Sequence, residues 1–201
     1  MPVTASQHVA SPRREQNKER VREALQRSGV RLVAEHGIDK VSVEQILGDA
    51  GYSRRTFYGY FANKLELLAS VMNPAFDEGA SFLEEVLGRS PEKLLAGIIE
   101  CYLTLWKNHR DALLAIASLN DPAIAPYIES GHRTFGNTLQ RVLRKAAAAG
   151  TLRNRDAAYS FKVISRTAVP LLKIYATHPE GIQLYRESML ALLQSPETEI
   201  Q

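Results

Sequence analysis

Hydrophobic positions along this chain recur at intervals of three and four, and nowhere alternate one by one over the length of a strand. That spacing predicts helix throughout. From about Glu15 to His36, Val21, Leu25, Ser28 and Leu32 form one inward stripe with Val33 beside them. Gly37 follows where a helix commonly ends on a left-handed residue. Ser42-Val43-Glu44-Gln45 then has the form of a capping box, in which hydroxyl and amide side chain each satisfy the other residue's backbone N–H. The helix it opens is short, because Gly51 arrives nine residues later. Ser53 caps a third helix, SRRTFYGYF, broken after Phe61, and Asn63 caps a fourth with Glu66 at its N3 position. Three capped starts so close together, parted by a glycine turn, describe a compact three-helix unit that hands over to a longer helix.

Beyond Ser90 the punctuation changes to a cap followed by proline. Ser90-Pro91 opens a helix to about His109, and Asp121-Pro122 opens a long helical region ending at Gly150. Pro126 and Gly131 are expected to kink its first turns or set them apart. Two more helices are expected, from about Arg155 to Ala176, bent at Pro170, and from Pro179 to Gln194. The fold class that follows is all-α, with about nine helices and no strands.

Composition narrows the class only slightly. Apolar residues make 45% and charged residues 23% of the 201, an ordinary balance for a chain that buries a core. No apolar run approaches the ~18 residues of a membrane span, and the first residues lack the apolar block of a secretory signal. The single cysteine, Cys101, excludes an internal disulfide framework, and the five histidines show no ligand spacing. No metal or cofactor is expected, and the cytoplasm is the expected compartment. Charge is more telling in its distribution than in its sum of +3. Residues 1–64 hold 11 Lys/Arg against 7 Asp/Glu, and residues 65–201 hold 14 against 15, so the positive excess sits wholly in the first third.

That third contains the chemistry. A helix-turn-helix needs a tight turn so that its second helix enters the major groove N-terminus first. Gly51 supplies the turn, and Ile46, Ala50, Phe57 and Phe61 supply a small core that fixes the interhelical angle. Arg54 and Arg55 fall in the first turn of the inserted helix, where an arginine fork matches guanine O6 and N7. Ser42, Ser53, Thr56, Tyr58 and Tyr60 are candidate phosphate donors, and Lys64 adds its charge to the positive end of the fourth helix. The plain alternatives are solvated arginines and tyrosines that only cover apolar surface. Arg13, Arg14 and Lys18, in an expected disordered arm, could reach the backbone or minor groove.

The segment Val43–Lys64, VEQILGDAGYSRRTFYGYFANK, resembles the TetR family of regulators. It matches that family's pattern at Ser42, Val43, Ile46, Ala50, Gly51, Ser53, Thr56, Phe57, Tyr58, Tyr60, Phe61 and Lys64. It departs at Leu47, Tyr52 and Leu65, and Gly29 replaces a usual alanine, which alone would weaken the first helix by up to ~1 kcal/mol. The resemblance implies a disordered arm over 1–14, a helix-turn-helix DNA-binding domain over 15–62, and a helical effector-binding and dimerisation domain over 63–201. It implies a dimer on palindromic double-stranded operator DNA, released by a small-molecule effector. Tyr102, Leu105, Trp106, His109, Leu113, Ile116 and Phe135 are the candidate pocket lining, against the plainer reading of core packing. The resemblance places the dimer seam on the last two helices, with Ile164, Ala168, Leu171, Leu172, Tyr175, Leu184, Met189 and Leu193 as candidates. The plainer reading buries these within their own subunit. Two rival functions remain: a sequence-independent architectural DNA binder, and a small helical enzyme. The second finds no support in any phosphate loop, nucleophile elbow or metal-binding helix motif.

Overall fold

A computed structural model describes residues 12–118 and 122–196. Eight α-helices are found among the described residues: α1 Pro12–His36, α2 Val43–Ala50, α3 Arg54–Tyr58, α4 Lys64–Leu87, α5 Leu94–Ala117, α6 Ala125–Ala148, α7 Ala157–Tyr175 and α8 Gly181–Leu193. Three short 3-10 turns, Ile38–Lys40, Pro91–Lys93 and Pro122–Ile124, complete them. No strand forms among the described residues. One antiparallel bridge, Leu152 to Gln194, ties the end of α8 to the α6–α7 loop.

Local chemistry accounts for most of the boundaries. The Ser42 hydroxyl accepts from the Gln45 amide at 3.2 Å while the Gln45 side chain accepts from the Ser42 amide at 2.8 Å, so the capping box is closed. Gly51 ends α2 in the left-handed region at φ 73°, ψ 30°, where a Cβ would be strained. Asn63 accepts from the Glu66 amide at 2.9 Å, and Asp156 accepts from the Ala158 and Tyr159 amides in the first turn of α7. A cap of this kind contributes about 1 kcal/mol.

Three expectations about helix limits need correcting. Residues 12–14 are helical, so Arg13 and Arg14 ride on α1 rather than in an arm; proline at a first helical position costs no hydrogen bond. Residues 1–11, and the cap expected at Asp121, lie outside the described residues. The helix opened near Pro91 runs on to Ala117, and His109 marks a kink, with φ −136° and ψ 36°. The long helix α6 begins once, at Ala125: Pro126 sits in its first turn, and Gly131 packs on Phe76 without breaking it. Gly29, expected only to weaken α1, also has a packing role. A Cβ there would stand 2.5 Å from Cδ2 of buried Leu67, so glycine lets α1 close onto α4.

Two apolar clusters share α4. One gathers Leu25, Ile46, Phe57, Phe61, Leu67, Leu68 and Met72, and takes in Ala115 from α5, Ile124 from the Pro122–Ile124 turn and Ile128 from the start of α6. The other joins Leu83 and Val86 to Ile98, Cys101, Leu139, Ile164, Tyr185 and Met189. Phe135 of α6 packs against both. The three-helix unit is therefore not separated at residue 62 by a bare linker; its core continues into the larger helical array. No helix among the described residues is long and apolar enough to cross a membrane.

Candidate nucleic-acid interface and ligand cavity

α3 is a single short helix whose inner side is Phe57, fully buried between Tyr58 at 5.4 Å and Phe61 at 5.9 Å. That burial points the opposite side to solvent. Arg54, Arg55 and Tyr58 are all exposed there, Tyr58 to 57%. Ser28, buried on α1, donates to the Ile46 carbonyl at 3.1 Å and locks α1 to α2. The reading helix is thus held by a core, with α1 and α2 locked together behind it, while its charged face is exposed.

The candidate contact residues are placed unequally. Arg55 has no side-chain partner among the described residues. Arg54 is held by Glu44 of α2 at 2.5 Å, a carboxylate that sequence reasoning passed over. Ser53 caps α3 and its hydroxyl also meets Thr56 Oγ1 at 3.0 Å, so both are engaged locally. Ser42 is spent in its capping box. Tyr60 is half-buried, tilted against Phe61. Lys64 donates to the carbonyls of Ile38 and Val41, at 2.7 and 2.8 Å, so its ammonium stitches α4 to the α1–α2 connection. Those two bonds must be exchanged before it can reach a phosphate.

Glu44 occupies Arg54 and adds a negative charge to the exposed side of the head that α3 presents. Replacing it with glutamine is expected to raise affinity for any duplex about 2- to 5-fold at 0.1 M salt, within the range of an exposed ion pair. Titration of labelled duplexes with the Glu44→Gln variant checks this; unchanged or weaker binding would contradict it.

In the larger array, α4, α5, α6 and α7 enclose a cavity of about 450 Å³. Its wall is mainly aromatic and aliphatic, from Phe76, Tyr102, Leu105, Leu113, Ile116, Phe135, Leu139, Phe161 and Ile164, with His132, Ser165 and Arg166 as polar members. Five of the seven candidate lining residues are brought together here: Tyr102, Leu105, Leu113, Ile116 and Phe135. Trp106 and His109 are not. Trp106 lies under the Arg110 guanidinium at 4.9 Å, and His109 meets Glu78 of α4 at 2.6 Å where α5 kinks. The hydrogen bonds from His109 and Asn108 hold the Glu78 carboxyl below its ordinary range. Phe161 and Arg166 were missed because α7 was read as a dimer seam, and His132, three residues from the candidate Phe135, was passed over. Gly79 lets the Phe135 ring pack close against α4, since a Cβ there would meet that ring at 2.7 Å. Cys101 is buried nearby, its thiol pushed up to about 12 by desolvation, which leaves no thiolate to react.

The candidate seam residues are also divided. Ile164, Ala168, Leu172, Met189 and Leu193 are buried inside their own subunit, none above 4% exposed. They cannot face a partner, which corrects the expectation for those five. Leu171, Tyr175 and Leu184 are half-buried, and the Tyr175 hydroxyl meets Ser188 at 3.0 Å. The large apolar side chains left exposed on and between the last two helices are Tyr159, Ile174, Ile182 and Leu192.

A short capped reading helix on a three-helix head, fused to a helical array with an internal cavity, defines the class of helix-turn-helix DNA-binding transcription regulators. Residues 27–71, which hold the end of α1, all of α2 and α3 and the start of α4, match the model of bacterial regulatory proteins of the tetR family. No curated protein matches it. Among solved structures it is similar to the ketosteroid transcriptional regulator KstR2 of Mycobacterium tuberculosis, at 19% identity and TM-score 0.69, covering 87% of this chain and 95% of that one. It is also similar to the fatty acid degradation regulator FadR from Bacillus halodurans, at 18% identity and TM-score 0.62, covering 86% and 94%. SmeT, repressor of the Stenotrophomonas maltophilia multidrug efflux pump SmeDEF, is 23% identical with TM-score 0.57, covering 87% and 91%. These likenesses show the fold.

Proposed function

We propose that the protein is a ligand-responsive repressor that binds a palindromic operator as a homodimer, with residues 15–62 as the reading head and the rest binding effector and partner. The observation that carries this reading is the exposed Arg54–Arg55 face of a helix whose other side is fixed by buried Phe57. Reading-head arginines confer base choice, and two heads set one helical turn apart multiply it. Thr56, Tyr58, Tyr60 and Lys64 serve the phosphates that fix register.

Effector control follows from α4, which is shared by the head and the cavity wall. The first turn of α6 grips α4 twice: Asn63 donates to the Tyr127 hydroxyl at 2.9 Å, and Asn73 donates to the Tyr127 carbonyl at 3.1 Å. Asn63 is the cap of α4, directly after the reading helix. A ligand that displaces Phe135 or His132 on α6 thus moves the element that anchors the head. A coupling of ~1 to 3 kcal/mol releases DNA, and DNA weakens the ligand equally.

The exposed Tyr159, Ile174, Ile182 and Leu192 are the face a second copy covers. Sedimentation equilibrium is expected to return twice the 22.4 kDa monomer mass. The double variant Ile174→Glu, Ile182→Glu is expected to sediment as a folded monomer and to lose operator binding. A monomeric parent chain that still selects a palindrome would contradict the dimer.

A further inference from the structure

The walls of the cavity are almost wholly apolar, and none of its few polar members is a carboxylate. No aspartate or glutamate lines it. Arg166 and His132 do, and neither has a hydrogen-bond or ion-pair partner among the described residues. The Tyr102 hydroxyl, on the α5 wall, likewise makes no hydrogen bond there, although the residue is only 6% exposed. Ser165, by contrast, is spent on the Phe161 carbonyl at 2.8 Å. The helix that carries Arg166 reinforces the sign: α7 holds Lys162, Arg166 and Lys173 and not one carboxylate along its length. On α6, Glu129 is outside the lining and is paired with Arg133 one turn along.

An unpaired guanidinium beside an apolar chamber has a planar fork that fits a carboxylate in two parallel hydrogen bonds. The aromatic walls, with Tyr102 edge-on to Phe135 at 6.1 Å, suit a flat or extended apolar body. A chamber of about 450 Å³ lies in the range that holds a small organic ligand. We propose that the effector is an apolar monocarboxylic acid whose carboxylate is held at the α6–α7 mouth by Arg166 and His132, with its body under Phe135 and Phe161. This rests on the ligand-responsive reading above.

The test uses the full-length protein and isothermal titration with naphthalene-2-carboxylate and its neutral isostere, naphthalene-2-carboxamide, at pH 7.5. The acid is expected to bind about 10- to 50-fold more tightly than the amide, the scale of a charge-assisted hydrogen-bond pair. In Arg166→Gln that preference is expected to fall to within about 2-fold, through loss of acid affinity with amide affinity unchanged. Gly136→Leu, whose Cβ has the Phe161 ring at an ordinary 3.8 Å, fills the mouth and is expected to abolish binding of both. Equal affinity for acid and amide in the parent protein overturns the proposal and leaves the effector cavity standing. So does an acid preference that survives Arg166→Gln, or acid binding that survives Gly136→Leu. Failure of the folded parent to bind either probe overturns the ligand-responsive reading along with it.

Discussion

Arg55→Ala is expected to cost about 1 to 3 kcal/mol per half-site on the selected operator, so a dimer loses roughly 30-fold or more in affinity. The loss should appear as relaxed choice at one base pair of each half-site, with affinity for random duplex reduced only slightly. The reason is placement. Arg55 stands in the first turn of a helix whose inner face is immobilised by Phe57, and its guanidinium has no partner to leave behind among the described residues. Arg54→Ala should cost less, because Arg54 must first be drawn from Glu44. Competition binding with single-base operator variants checks both. An equal loss on every duplex would contradict base reading and favour an architectural binder, for which only phosphate contacts count.

The second large effect is structural. Phe57→Ala removes a fully buried ring from the heart of the head and is expected to cost about 3 to 5 kcal/mol. For a chain of this length that is a fall in Tm of about 6 to 20 °C, with DNA binding abolished. The exposed Tyr58 next to it is the control: Tyr58→Ala should leave Tm within about 2 °C and weaken DNA alone. The head core extends to Ala115, Ile124 and Ile128. The melt should therefore broaden or shift as a whole instead of splitting off a small independent head. Scanning calorimetry on both variants decides the matter; equal Tm losses would mean that Phe57 does not organise the unit.

The reading head was legible because its instructions are local. A hydroxyl and an amide three residues apart close a cap, and a glycine ends a short helix at positive φ. The periodic pattern also marks which side of a helix is buried. It does not say what buries it. The stripe Ile164, Ala168, Leu172 on α7 has the period of a seam between subunits, but the structure spends it on the chain's own core. The side chains left for a partner, such as Ile174, stand off that stripe. The break at His109 had no proline or glycine to announce it, and the residue there meets Glu78 from another helix. The same holds for Glu44, ten residues from the arginine it restrains. Gly29 and Gly79 show the reverse case. Each appears as a weak point in a helix, and each is where a neighbouring side chain needs the room of the missing Cβ.

The central claim is that Arg54 and Arg55 read base pairs from two copies of the head. The most direct test is selection of tight-binding duplexes from a random DNA pool with the purified protein at near-physiological salt. Enrichment of a palindrome with half-site centres about one helical turn apart, ~34 to 36 Å, is the predicted result. Recovery of bound DNA with no enriched sequence would contradict it.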